Sequence, residues 1–173
     1  MSHEHLIVMG VCGSGKTTVA RALAAKLNWD FAEGDDFHSQ ANRDKMRAGI
    51  PLTDDDRWPW LDTIVEWTAQ EDGAGKNTVV TCSALKRSYR DRLRRAPGRT
   101  FFVHLTGSPE LLAQRMAGRT GHYMPTSLLP SQLATLEELG AEEPGFAVGI
   151  DARTEGIVAR IEQKLHEVGV LKE

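Results

Sequence analysis

The amino-acid sequence predicts an α/β fold: a five-stranded parallel sheet flanked by helices on both faces, in one domain spanning 1–173. Short apolar or β-branched runs alternate with helical stretches five times along the chain. Such alternation is typical of a doubly wound sheet with right-handed crossovers. The runs also lack the polar alternation of a strand that has one wet face, which favours burial on both faces.

The individual elements follow from these runs and from residues that start or stop helices. Strands are predicted over 6–9, 30–33, 78–82, 101–105 and 146–150. Helices are predicted over 16–27, 38–49, about 57–71, 85–95, 109–116, 131–139 and 155–168. Asn28 can end the first helix, and Thr53 and Ser108 are typical residues before a helix start. The stretch 38–49 is mostly polar, so we expect its helix to face solvent.

Two segments are predicted to stand apart from the sheet and its packed helices. Residues 36–60 form a helical segment on the substrate side, after the second strand. Two glycines and a proline interrupt the helical pattern between 118 and 125. A helix, a glycine-containing basic stretch and another helix predict a mobile helical lid over about 115–135.

Composition excludes several classes of protein. A formal net charge of -3 and a pI near 6.1 give no basic face for nucleic acid or an anionic membrane. No apolar run approaches the length of a membrane span, and two cysteines are too few for a disulfide framework. The amino-terminal stretch lacks the basic flank and apolar core of a secretory signal. We therefore expect a cytoplasmic protein without nucleic-acid or membrane partners.

The clearest motif lies between the first strand and the first helix. Its sequence is GVCGSGKTT, formed by Gly10, Val11, Cys12, Gly13, Ser14, Gly15, Lys16, Thr17 and Thr18. Glycines let the backbone wrap so that N–H groups and the helix N-terminus face a phosphate group. Lys16 can reach the β- and γ-phosphates, and the Thr17 hydroxyl can bind Mg²⁺. The motif predicts the P-loop NTPase fold; the alternative is a glycine-rich turn that binds nothing.

The phosphate loop alone does not separate kinases from ATPases and GTPase switches. A GTPase usually carries an Asn-Lys-x-Asp guanine reader, whereas Lys76-Asn77 continues into a strand. The third strand ends in Cys82-Ser83, without the acid that a motor or AAA-type ATPase uses. Asp35, at the end of the second strand, can replace that acid, orient a hydroxyl and accept its proton, and help to hold Mg²⁺ through water. The alternative is that Asp35 caps the helix near His38.

Three blocks of residues resemble the gluconokinase family. The first block contains Gly34-Asp35, His38, Asn42, Lys45-Met46, Gly49, Pro51-Leu52, Asp54-Asp55-Asp56-Arg57 and Pro59-Trp60-Leu61. The second contains Cys82-Ser83-Ala84-Leu85-Lys86 and Tyr89-Arg90-Asp91, and the third Gly121-His122-Tyr123-Met124, Ser131-Gln132 and Leu136-Glu137. The blocks span most of the chain in the family's order. Two positions depart from it, since Cys12 stands where serine is usual and Tyr123 where phenylalanine is common.

This resemblance implies transfer of a phosphoryl group from ATP to the terminal hydroxyl of D-gluconate, with Mg²⁺, and often a homodimer. It implies catalytic roles for Lys16, Asp35 and Arg119, and a metal site at Thr17 and Asp35. Further nucleotide contacts are expected from Arg115, Arg119 and Arg153. Substrate contacts are expected from Asp35, His38, Lys45, Arg57, Ser83, Arg90 and His122.

Purely structural or surface roles for these side chains stay open. The arginines can form a solvated helix face, Arg57 can pair with the acids beside it, and the others can be surface or structural groups. Two other functions are also open. One is a kinase of another small hydroxylated acid or of a nucleotide, and the other is a regulatory switch that hydrolyses a nucleotide.

Overall fold

The computed structural model describes residues 3–117 and 128–171, and its five strands form one parallel sheet. The strands are β1 (Glu4–Met9), β2 (Asp30–Glu33), β3 (Thr78–Thr81), β4 (Arg99–Thr106) and β5 (Gly145–Gly149). They lie in the order β2-β3-β1-β4-β5. The predicted five-stranded parallel sheet is confirmed.

Helices cover both faces of this sheet. They are α1 (Lys16–Leu27), α2 (Gln40–Arg47), α3 (Asp54–Gly73), α4 (Arg87–Leu93), α5 (Pro109–Ala117), α6 (Leu128–Thr135) and α7 (Thr154–Glu167), and a 3-10 turn spans Gly34–Phe37. Leu6 and Val8 of β1 pack into one core with α1, α5 and α7. Ile7 and Met9 pack into a second core with α3 and α4. Strict alternation along the central strand therefore separates two apolar layers, as expected for a strand buried on both faces.

The sheet order brings the carboxyl ends of three strands together. β1 lies between β3 and β4, and β3 lies between β1 and β2. Thr81 is level with Val8 on one side and with Glu33 on the other. The loops that leave β1, β2 and β3 consequently start at the same edge, where parallel sheets bind their ligands.

The α3 helix begins earlier than the sequence predicts. Thr53 is its N-cap, accepting the Asp56 N–H at 3.1 Å, while the Asp56 carboxylate accepts the Thr53 N–H at 2.9 Å. This capping box places three aspartates in the first turn, where the helix dipole favours them. The helix then continues to Gly73.

The prediction that 38–49 is a wholly solvent-facing helix is wrong in part. In α2, Asn42 and Met46 are only 5% and 4% exposed. A polar side chain can be buried when its hydrogen bonds are satisfied, and Asn42 donates to both His38 and the Asp56 carbonyl. The polar composition of α2 therefore gave the wrong prediction for the burial of this face of the helix.

The predicted lid is only partly within the described structure. α6 begins at Leu128, three residues before the predicted start, because Pro130 is tolerated in the first turn of a helix. Residues 118–127 lie outside the described ranges, so the lid stays a prediction. Among the helices in the described ranges, none combines the length and apolar character needed to cross a bilayer.

Candidate active site

The phosphate loop joins β1 to α1 and leaves the start of the helix open to a ligand. Gly15 is the N-cap of α1, with a φ of 83° that favours glycine, and no side chain caps the helix. Its first N–H groups and the positive end of its dipole are thus available to an anion. The Lys16 Nζ donates to the carbonyls of Gly10 at 2.9 Å and Val11 at 3.1 Å, so the loop surrounds the ammonium group.

Two further features of this loop concern a buried charge and a buried hydroxyl that an anion would stabilise. Burial lowers the pKa of Lys16, and the nearby carboxylate of Asp35 opposes part of that shift. The Ser14 hydroxyl is fully buried and has no hydrogen-bond partner among the described residues. Buried polar atoms are normally paired. An anion that accepts hydrogen bonds here would satisfy Ser14 and stay close to the Lys16 charge.

Glu33 is a candidate site residue that the sequence analysis did not select. The Thr17 hydroxyl donates to its Oε2 at 2.5 Å, and the Thr81 hydroxyl donates to its Oε1. Glu33 is therefore the acid that touches the predicted Mg²⁺ ligand Thr17. The signal was its place at the end of β2, two residues before Asp35. The described residues contain no cluster of three or more His, Cys, Asp or Glu suited to a metal, so Mg²⁺ here would need phosphate oxygens and water as further ligands.

Asp35 is held at the edge of the cleft by the glycine before it. The Gly34 N–H donates to the Thr81 hydroxyl at 3.0 Å, and the Gly34 carbonyl accepts the Trp60 indole N–H at 2.7 Å. A Cβ at Gly34 would come within 1.9 Å of the Thr81 carbonyl oxygen. The alternative that Asp35 caps α2 is excluded, because Ser39 is the N-cap and accepts the Asn42 N–H.

His38 lies against Asp35 and is stacked on Trp60. Its Nε2 is 3.8 Å from the Asp35 Oδ1, and the His38 and Trp60 ring centroids are 4.0 Å apart. Its Nδ1 is 3.2 Å from the Asn42 amide nitrogen. Burial, with the positive charges of Arg43 and Arg57, lowers the pKa of His38 to about 3. His38 is therefore neutral near pH 7.

Arg57 reaches the cleft from the first turn of α3. Its Nη1 donates to the Leu52 carbonyl at 2.6 Å and to the Tyr89 hydroxyl at 3.0 Å. The Tyr89 hydroxyl in turn donates to the Asp54 carboxylate at 2.5 Å, which together with Lys86 lowers the pKa of Asp54. No described residue takes a hydrogen bond from the Nε and Nη2 of Arg57, so this edge of the guanidinium can bind a carboxylate in a bidentate manner.

These side chains line one open cleft. The predicted site residues that it brings together are Cys12, Gly13, Gly15, Lys16, Thr17, Asp35, His38, Arg57 and Ser83. Gln132 of α6 also lines it and accepts the Cys12 N–H at 2.7 Å. Burial raises the pKa of the Cys82 thiol to about 12, so Cys82 is no nucleophile at neutral pH. The other loop residues, Gly10, Val11, Ser14 and Thr18, are not among those that line the cleft, and the carbonyls of Gly10 and Val11 hold Lys16.

The prediction that Arg90 contacts substrate is corrected by its surroundings. Arg90 is completely buried and binds Glu143 through Nε at 2.6 Å and through Nη2 at 3.0 Å. Its Nη1 donates to the carbonyl of Ala84, which has a φ of 47°. Arg90 therefore supports the turn that carries Ser83 into the cleft, and it has no exposed edge for a ligand.

Five other predicted residues lie away from the cleft or beyond the described ranges. Lys45 pairs with Asp56 at 2.8 Å and does not line the cleft, which corrects its prediction as a substrate ligand. Arg115 donates to the Ile150 carbonyl at 2.6 Å, and thus joins α5 to the end of β5. Arg153 is the N-cap of α7. Arg119 and His122 lie outside the described residues, so their roles stay predictions.

Known proteins resemble this chain over most of its length. A family model described as an AAA domain matches residues 6–126. A gluconokinase from Gluconobacter oxydans is 55% identical over 83% of this chain and 80% of its own length. The solved structure of a sugar kinase from Janibacter is 47% identical, with a TM-score of 0.91, over 99% of both chains. A solved gluconokinase from Sinorhizobium meliloti is also 47% identical, with a TM-score of 0.80, over 95% of this chain and 96% of that one.

The identities and coverage agree with the site described above. The phosphate loop, an acid at the end of β2 and side chains from the segment 36–60 all line one cleft. The chain belongs to the gluconokinase family, within the wider group of phosphate-loop proteins that the AAA domain model describes.

Proposed function

We propose that this protein transfers the γ-phosphoryl group of ATP to the terminal hydroxyl of D-gluconate and forms 6-phospho-D-gluconate. The observation that carries this proposal is that Lys16, Asp35 and Arg57 line the same cleft. The first suits a phosphate donor, the second an attacking hydroxyl and the third a carboxylate. Gluconate carries both the hydroxyl and the carboxylate in one molecule.

The donor side supplies charge stabilisation. Phosphoryl transfer needs little covalent chemistry from the protein, and most of the rate comes from alignment and from stabilising charge on the moving group. Lys16, which lies in the loop, and the uncapped N-terminus of α1 would face that charge. Thr17 and Glu33 would hold Mg²⁺, directly and through water. Mg²⁺ would neutralise negative charge on the phosphate oxygens.

The acceptor side supplies the base and the orientation. Asp35 is 43% exposed at its side chain, so its carboxylate can meet a substrate in the cleft. It would hold the terminal hydroxyl in line with the donor phosphate and accept its proton. The Nε and Nη2 edge of Arg57 would bind the carboxylate at the other end of gluconate. Ser83 would offer a hydrogen bond to a hydroxyl between the two ends.

The decisive experiment is a coupled assay of ADP formation with a panel of acceptors: gluconate, shikimate, other sugar acids and nucleoside monophosphates. We expect gluconate to give the highest kcat/KM and the product to be phosphorylated at its terminal carbon. Stimulation by another acceptor and not by gluconate would contradict the proposal. ATP hydrolysis that depends on a protein partner and not on an acceptor would favour a regulatory switch. A cytoplasmic location, predicted from the composition, and a homodimer, predicted from the family resemblance, both stay predictions.

A further inference from the structure

The acceptor side contains a buried pair of polar side chains that the proposed chemistry does not yet use. His38 is 7% exposed and Asn42 is 5% exposed. The Asn42 Nδ2 lies 2.9 Å from the Asp56 carbonyl oxygen and 3.2 Å from the His38 Nδ1. One amide group thus contacts both the imidazole and the backbone of α3.

The Asp56 carbonyl fixes the orientation of the Asn42 amide. A carbonyl oxygen only accepts hydrogen bonds, so the amide atom that faces it must be the NH₂ group. That group has two hydrogens, and the second is directed to the His38 Nδ1. The Nδ1 must therefore accept, and a neutral imidazole then carries its hydrogen on Nε2.

The protonated nitrogen faces Asp35. The His38 Nε2 and the Asp35 Oδ1 are 3.8 Å apart, too far for a direct hydrogen bond. One hydroxyl oxygen placed between them can accept from Nε2 and donate to the carboxylate. The stack on Trp60 holds the ring in this plane. The other charges that act on the imidazole are those of Arg43 and Arg57, both positive.

We propose that Asn42 is a positioning residue of the acceptor site, which fixes His38 in its Nε2–H form. His38 then donates a hydrogen bond to a hydroxyl of the polyhydroxy acid that lies against Asp35, and it does not compete with Asp35 as the proton acceptor. The tautomer follows from the free protein alone. Only the identity of the molecule that carries the hydroxyl rests on the proposed function.

The tautomer can be measured without any substrate. In the full chain labelled with ¹⁵N-histidine, long-range ¹H–¹⁵N correlation spectra distinguish protonated from unprotonated ring nitrogens. The signals of His38 are identified by their loss in His38→Gln. We expect an unprotonated Nδ1 and a protonated Nε2 at about pH 7. A protonated Nδ1 in the neutral ring would overturn the proposal even if the protein phosphorylates gluconate.

Asn42→Asp reverses the hydrogen bond, because a carboxylate accepts and does not donate. The proton then moves to Nδ1, and the added negative charge raises the pKa of His38. Below that raised pKa the imidazolium still donates from Nε2, and above it Nε2 has lost its hydrogen. We expect kcat/KM for gluconate in this variant to fall as pH rises through the new pKa. The wild-type profile, measured in parallel, has no such limb, and an identical profile in the two proteins would contradict the proposal.

A double-mutant cycle keeps the test decisive if Asn42→Asp does not fold. Asn42→Ala leaves the imidazole free to take either tautomer, so we expect the KM for gluconate to rise about 3- to 10-fold with the KM for ATP unchanged. His38→Gln retains an N–H donor but has no tautomer to fix. Adding Asn42→Ala to His38→Gln should therefore leave the KM for gluconate nearly unchanged. An equal increase in both backgrounds would show that Asn42 is only a structural residue.

Discussion

The two sides of the cleft are built in different ways. On the donor side, the phosphate loop and the start of α1 form one continuous stretch from Gly10 to Thr18, in which backbone carbonyls hold Lys16 and no side chain caps the helix. On the acceptor side, the side chains come from separate elements and are held by other side chains. His38 depends on Asn42, and Arg57 on Tyr89.

This difference separates what each side recognises. Backbone N–H groups and one lysine bind phosphate whatever else the substrate carries. A network of oriented side chains responds to the position of each hydroxyl and carboxylate. Changes on the donor side should therefore affect every acceptor equally, whereas changes on the acceptor side should affect gluconate and leave ATP binding intact.

Lys16→Ala should have the largest effect. The variant loses the charge that faces the transferred phosphoryl group, so we expect turnover with any acceptor to fall by about 10³-fold or more. The measurement is kcat for gluconate and for each weaker acceptor, with circular dichroism to verify folding. A loss confined to gluconate would break the contrast between the two sides, and appreciable turnover would refute the role of Lys16.

Asp35→Asn should come next. An amide cannot accept the proton of the attacking hydroxyl, so we expect kcat to fall by about 10²-fold while the Kd for ATP stays nearly unchanged. Asp36→Asn is the matched control, because Asp36 lies in the same 3-10 turn and is exposed. Wild-type kcat in Asp35→Asn, or an equal loss in both variants, would remove Asp35 from catalysis.

Arg57→Gln should act on binding of the acceptor. Loss of a charged bidentate contact should raise the KM for gluconate by about 10- to 100-fold, with little change in the KM for ATP. The same variant should bind a neutral polyol no worse than the wild type does. Arg47→Gln, in an exposed position of α2, serves as the control. An unchanged KM for gluconate would assign the carboxylate to another cation.

Tyr89→Phe tests whether the network behind Arg57 matters. Removing the hydroxyl frees the guanidinium from its hydrogen bond with Tyr89 and leaves the Asp54 carboxylate without that donor. We expect the KM for gluconate to rise by about 3- to 10-fold, with kcat nearly unchanged. Combined with Arg57→Gln, the second substitution should add almost nothing. Full additivity in steady-state kinetics would mean that Tyr89 acts elsewhere.

Lys45→Ala should have the smallest effect. Lys45 pairs with Asp56 on a partly exposed surface and does not reach the cleft. Pairs of this kind contribute little, so we expect the KM for gluconate to stay within about twofold of the wild-type value. An increase of about 10-fold would restore Lys45 as a substrate ligand and extend the acceptor side beyond the cleft described above.

The sequence predicts the donor side well because its information is local. The glycines, Lys16 and Thr17 are adjacent in the chain, and the strand before them and the helix after them confirm the motif. The parallel sheet can be predicted equally well, since strands buried on both faces are continuous apolar or β-branched runs in the sequence. The place of Asp35 at the end of a strand also indicated a site residue, and the family resemblance brought His38 and Arg57 to attention; all three line the cleft.

The supporting contacts on the acceptor side could not be read in this way. Arg90 and Glu143 are 53 positions apart, and nothing in either stretch indicates that they form a buried pair. The burial of Asn42 depends on a carbonyl in another helix. Glu33 was visible as an acid at a strand end, but only the register of β2 beside β3 places it against Thr17 and Thr81.

Gly34 limits how this cleft can be altered by laboratory evolution. Any side chain at this position would collide with the Thr81 carbonyl and push β2 away from β3. Gly34 therefore fixes the positions of Glu33 and Asp35 relative to one another. A library that seeks enzymes for shorter or longer sugar acids should keep residues 33–35 constant. It should randomise positions such as Leu52 and Ser83, which line the cleft and lie outside the strands.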